Sequence, residues 1–263
     1  MLNLEPIVVD SGGADWLYVG LMLASIVTAM LLFRRSRPEL NLTRKQRWAV
    51  GLGAFCGGML GSKLPFVFAD WQGLLGGRAW LDNGKTIMLG LVGGYFGVEL
   101  AKWYSGVKQK TGDSFAAPVA LAVAIGRLAC FHAGCCFGTV TDLPWACRFG
   151  DGLPRHPTQI YEAIFHAGAS AALVSFKAAG RFRGQLIKLY FLSYFGFRFV
   201  TEFLRPEPVL GLGLTSYHWA AAVLAPVFIA LWFADSRRMS GTSRSSLDSE
   251  TGVDIIRPHK GTG

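Results

Sequence analysis

The amino-acid sequence predicts an all-α polytopic membrane protein, a seven-transmembrane-helix bundle with the N-terminus outside and the C-terminus in the cytoplasm. Three observations lead there. The 263 residues are 51% hydrophobic and only 16% charged, with a mean hydropathy of +0.35, a balance expected of membrane proteins rather than soluble domains. The apolar residues gather into long stretches between short charged segments, as a hydrocarbon layer about 30 Å thick requires of helices roughly 20 residues long. The basic residues fall mainly on one set of loops.

The expected spans are Trp16 to Phe33, Trp48 to Ala69, Thr86 to Tyr104, Phe115 to Phe137, Pro157 to Phe176, Gln185 to Leu204 and Tyr217 to Phe233. Barrel strands would instead alternate apolar and polar residues over about ten positions, and these stretches do not. The first span follows an acidic N-terminus without a basic leader region, so it is expected to remain as an anchor. The second and third carry glycines at Gly51, Gly53, Gly57, Gly58 and Gly61 and at Gly90, Gly93, Gly94 and Gly97, a spacing that favours close helix–helix approach. Pro157 opens the fifth span, in a first turn where its missing N–H costs nothing. The sequence thus divides into one membrane domain over residues 1–235 and a disordered cytoplasmic tail over 236–263, which is rich in Ser, Gly and Arg.

Of the 26 Lys and Arg residues, 18 fall in the loops and tail that this arrangement places inside, which sets the orientation by the positive-inside rule. The net charge of +9 is then matched to anionic lipid head groups, and no nucleic-acid partner is expected.

Ionisable residues at membrane depth are costly, about 2.5 to 3.5 kcal/mol for a central arginine on insertion scales, and so mark functional sites. Arg127 lies within the fourth span and Arg198 within the sixth, both in the outer half of the bilayer, where they could share a cavity. Tyr194, Arg198 and Glu202 recur every four residues, with Arg205 three further on, so all four occupy one helix face. Guanidinium forks there suit a phosphate in a low-dielectric pocket, although Glu202 pairing with Arg198 or Arg205 would also serve simply to lock helices. Gln159, Glu162 and His166 enter the outer zone from the fifth span, where Glu162 offers a carboxylate partner or a proton acceptor. His156 and His166 read more simply as interfacial or helix-bonding groups.

Cys130, Cys135, Cys136 and Cys147 cluster around His132. Three readings remain open: a disulfide from Cys147 to Cys135 or Cys136 on the oxidising side, a thiolate activated by His132, or a zinc site, whose spacing fits no standard closed pattern. If the helix runs on past His132, that residue shares a face with Cys135 and Cys136; Gly134 could instead end it.

Three motifs together, Gly126-Arg-Leu-Ala-Cys-Phe-His-Ala-Gly-Cys-Cys-Phe-Gly138, Arg155-His-Pro-Thr-Gln-Ile-Tyr-Glu162 and Tyr194-Phe-Gly-Phe-Arg-Phe-Val-Thr-Glu-Phe-Leu-Arg-Pro-Glu-Pro208, give a chain that resembles the prolipoprotein diacylglyceryl transferase family. The resemblance implies a bacterial plasma (inner) membrane enzyme without metal or organic cofactor. Such an enzyme moves the diacylglyceryl group of phosphatidylglycerol to the lipobox cysteine thiol of a preprolipoprotein and releases glycerol 1-phosphate. It implies that Arg127 and Arg198 handle the lipid phosphate and that Tyr194 and Glu162 belong to the catalytic set. Gln159, Tyr161, Glu202, Arg205, Gly93, Gly94, Cys130 and Cys135 then line the substrate site.

The chain also departs from the family pattern. Val92 stands where the family has a histidine before Gly93-Gly94, and Ala129, Cys130, Ala133 and Cys135 replace Gly, Asn, Asn and Glu. His132 is the candidate to replace the missing base. The sequence therefore reads as a divergent transferase, with a non-catalytic phospholipid-binding protein and a thiol-dependent membrane enzyme as alternatives.

Overall fold

The computed structural model describes residues 7–9, 16–35, 40–69 and 86–250. Among these residues seven α-helices form, each over one of the expected spans: α1 (Trp16–Arg35), α2 (Arg44–Ala69), α3 (Ile87–Tyr104), α4 (Gly112–His132), α5 (Thr158–Ala178), α6 (Leu186–Thr201) and α7 (Ser216–Glu250). Five short strands lie outside them: β1 (Ile7–Val8), β2 (Cys147–Arg148), β3 (Pro154–Arg155), β4 (Val209–Gly211) and β5 (Leu214–Thr215). The tail expected from residue 236 begins within the bounds of α7, and residues 251–263 fall outside the described residues.

Three of the described helices are long and apolar enough to cross a membrane by themselves, within Trp16–Arg35, Gly112–His132 and Ser216–Arg237. α1 is the plainest case. None of its 20 residues is buried by the protein, so most of its apolar surface is left to meet lipid.

Lipid offers no hydrophobic gain when two helices associate, so close packing and polar contacts must hold the bundle. α2 and α3 use glycine for this purpose: Gly53 lies against Gly97, Gly57 against Gly93 and Gly61 against Leu89, each so close that an added Cβ would strike the opposing carbonyl oxygen. α1 leans on α4 through the Ser25 hydroxyl, which donates to the Ala122 carbonyl at 2.8 Å, and through Phe33 stacked on Phe115. Ser170 of α5 donates to Ala117 of α4 at 3.0 Å. The core is aromatic where α3, α6 and α7 meet, with Phe228 within 5.2 to 5.7 Å of Tyr95, Phe191 and Phe195 by ring centroids.

Several ends are fixed by specific partners. Asp113 in the first turn of α4 accepts from the backbone N–H groups of Gly184 and Leu186 at the start of α6. At its other end α4 is shorter than expected, stopping at His132 rather than Phe137. The reason is local: Gly134 takes a left-handed conformation (φ +61°), its N–H bonds the Phe131 carbonyl and the N–H of Cys135 bonds the Cys130 carbonyl. This Schellman closure turns the chain out of the helix.

The α4–α5 connection is tied to the segment before α1 and to the segment after α6. β2 pairs in parallel with β1 and antiparallel with β3, and the N–H of Thr139 donates to the Leu204 carbonyl at 2.8 Å beyond α6.

Candidate active site

Three arginines converge on one carboxylate. Glu162, in the first turns of α5, pairs with Arg127 of α4 at 2.6 Å, Arg198 of α6 at 3.2 Å and Arg205 beyond the 3-10 turn (Glu202–Leu204) at 2.9 Å. Arg198 also pairs with Glu202 at 2.7 Å, the i,i+4 contact that the helix face implied. The Tyr194 hydroxyl donates to Glu162 at 3.4 Å. All of these groups are buried, with Glu162 and Glu202 each 1% exposed.

Three guanidiniums against two carboxylates leave one excess positive charge in a region shielded from water. Moreover, the Nε–H groups of Arg127 and Arg205 are buried without an acceptor, an arrangement that is expensive unless a ligand supplies one. An anion with several oxygens answers both needs, and planar guanidinium forks match phosphate geometry.

Around this cluster the structure adds groups that the sequence reading did not single out. Thr215 donates to Glu202 at 2.7 Å, His218 accepts from the Thr215 N–H at 3.1 Å, and the Tyr217 ring lies 4.5 Å from the Arg198 guanidinium. Polar and aromatic residues crowded at the head of the seventh span, Thr215-Ser-Tyr-His218, were the available signal.

The other expected residues separate into distinct places. Gln159 is buried and donates to the Cys135 carbonyl at 2.6 Å, while Thr158 donates to the Cys136 carbonyl at 2.8 Å, so α5 fixes the loop after α4. Tyr161 meets the Trp145 indole N–H at 2.8 Å and His156 at 3.3 Å; burial holds the His156 imidazole below its ordinary pKa. His166 bonds Tyr190 across helices at 2.9 Å, as the simpler reading expected. Gly93 sits in the α2–α3 crossing and Gly94 beside it, next to Ala54 and Gly58. Val92 is buried in the apolar cluster that holds Tyr190 and Tyr194.

The cysteines resolve into one meeting of three. The Sγ atoms of Cys130, Cys135 and Cys136 lie within 4.8 Å of one another, and none of the five cysteines is in a disulfide. α4 stops at His132, the helix end at Gly134 that was one of the two possibilities, so the helical face that a longer helix would have given His132 with Cys135 and Cys136 is not formed, and it is Cys130 that the later pair meets. Cys147 is buried in β2, with its thiol held above the usual range by that burial. Hydrogen bonds from Cys130 and Cys135 draw the Cys136 thiol far down, and the charges of Arg127 and Arg205 act in the same direction.

Comparison with known proteins bears on this arrangement. A family model described as prolipoprotein diacylglyceryl transferase matches residues 7–234. The chain belongs to that family. Among curated relatives, a phosphatidylglycerol–prolipoprotein diacylglyceryl transferase of Photobacterium profundum is 31% identical over 81% of this chain and 84% of its own length. Proteins of the same name from Clostridium tetani and Geobacter sulfurreducens are 29% and 28% identical, over 78% and 86% of this chain and 87% and 92% of their own lengths. No solved structure matches. In this member of the prolipoprotein diacylglyceryl transferase family, Arg127, Glu162, Tyr194 and Arg198, drawn from three separate sequence motifs, meet in one buried cluster.

Proposed function

We propose that this protein is a diacylglyceryl transferase that moves the diacylglyceryl group of phosphatidylglycerol to the cysteine thiol of a preprolipoprotein in the bacterial plasma membrane. The observation that carries this reading is the triple ion pair at Glu162. In it, arginines from α4, α6 and the segment after α6 surround one carboxylate and keep two Nε–H donors free of acceptors. The lipid phosphate takes those donors. When the acceptor sulfur attacks the glyceryl carbon, the C–O bond to phosphate breaks. Its electron pair goes to the phosphate oxygen, where preorganised guanidiniums stabilise the charge that develops.

Seven spans with the N-terminus outside place this cluster near the outer leaflet, where a translocated lipobox segment arrives. Residues 1–235 then form the membrane unit, and the tail from residue 236 lies in the cytoplasm. Buried Val92, in place of the family histidine, favours one alternative: a protein that binds phospholipid without transferring it.

Complementation separates the two. Expression in a strain depleted of its own transferase, read by the mass of a lipobox substrate, is expected to restore the diacylglyceryl adduct. An unmodified substrate at normal expression would leave only lipid binding. Reporter fusions in the loops after α1 and α4 are expected inside and outside respectively, and the reverse would overturn the orientation.

A further inference from the structure

The closure of α4 does something unusual with its side chains. In a Schellman closure the residue two positions past the helix commonly packs on the residue three before its end, and the contact is usually apolar. Here those two positions are Cys135 and Cys130. The next residue, Cys136, has φ +64°, a left-handed conformation seldom adopted without glycine, which turns its sulfur back to the other two.

The carbonyls of Cys135 and Cys136 are each fixed by a buried side chain, Gln159 and Thr158. Three sulfurs within 4.8 Å need only small side-chain rotations to reach the roughly 3.8 Å separation that follows from metal–sulfur bonds of about 2.3 Å in tetrahedral geometry. The carbonyl end of α4 favours a cation. Three soft ligands with no hard ligand among them select a thiophilic ion.

We propose that Cys130, Cys135 and Cys136 bind a thiophilic divalent cation of the zinc class, whose open fourth position takes the acceptor thiol. This rests on the transferase reading and deepens it. The acceptor thiol gives its proton to water at the mouth of the site, where Cys135 and Cys136 are exposed, and its sulfur binds the metal as thiolate. That sulfur attacks the glyceryl carbon, a C–S bond forms and the C–O bond to phosphate breaks, yielding thioether and glycerol phosphate. Arg127 stands one helical turn before Cys130, so the metal and the phosphate grip are neighbours. Three thiolates and a divalent cation sum to one negative charge, which the adjacent guanidiniums of Arg127 and Arg205 accommodate. The metal thus supplies the thiolate that a base would otherwise generate.

The full chain purified in detergent is titrated with cobalt(II) and, separately, assayed for zinc. One equivalent with a thiolate-to-cobalt charge-transfer band is expected. C136S and C130S are expected to weaken binding on the order of 100-fold or more, while C147S and C56S retain it. A lipobox peptide is expected to shift the cobalt spectrum, and its serine analogue not to. Absence of metal binding with intact transfer overturns this site alone; metal bound but indifferent to the peptide thiol overturns its role toward the acceptor. Metal binding that responds to the thiol, without any lipid adduct in complementation, supports the site and removes the transferase reading.

Discussion

Arg127 of α4 and Glu162 of α5 meet at 2.6 Å, both buried, and this pair joins two of the three motifs that carry the family resemblance. Replacing Arg127 by Ala is expected to reduce transfer at least about 100-fold, in keeping with the loss of one donor to a developing oxyanion. Arg127→Lys is expected to recover little of it, because an ammonium cannot reproduce the planar fork. Substrate mass shift in the complementation assay reads both, and full activity in either variant would remove Arg127 from the phosphate grip.

Glu162 neutralises part of the charge of three arginines, so Glu162→Gln leaves them buried together with less compensation. Removing one partner of a buried ion pair costs about 3–5 kcal/mol, and thermal unfolding in detergent is expected to shift down accordingly. Combining Glu162→Gln with Arg205→Met is expected to regain part of the loss, since like charges are then relieved. A double variant less stable than the single one would contradict this account.

The α2–α3 crossing allows a test with an internal control. A methyl on Gly97 would strike the Gly53 backbone, whereas one on Gly51 meets nothing within 4 Å. Gly97→Ala is expected to destabilise by about 1–3 kcal/mol through overpacking, and Gly51→Ala to be neutral or slightly stabilising. Equal melting temperatures for the two would mean the helices are not in this contact.

Lys188 is buried and held by Asp235 of α7 and Gln185, while Lys110 reaches the same carboxylate at 3.1 Å. Asp235→Asn strands Lys188 in the packed interior, for which about 3–5 kcal/mol is again the expected scale. Lys110→Ala, which removes only the more exposed partner, is expected to cost under about 1 kcal/mol. Urea or thermal denaturation of the pair of variants checks the difference.

Much of the fold was legible because long apolar stretches between charged segments mark helices: a helix forms over each of the seven expected spans, and three of the seven are long and apolar enough to cross a membrane by themselves. Arg127, Arg198 and Glu162 were legible as charges where charges are expensive. Residues that act through non-local pairing were not. The partnership of Thr215 with Glu202, the Tyr217 ring beside Arg198 and the tie from Thr139 to Leu204 link positions far apart in sequence or hidden within an apolar run. The thiol cluster was half legible. Its residues were evident, and so were two possible courses of the chain after His132; the helix end at Gly134 decides between them and brings Cys130 to Cys135 and Cys136.

The backbone hydrogen bonds between β1 and β2, and between Thr139 and Leu204, carry a counting rule. Segments stitched together by backbone hydrogen bonds stand on one side of a bilayer, so the chain between them must pass through it an even number of times. Four helices intervene in the first case and two in the second, and a chain lengthened or shortened by one crossing could not make both stitches.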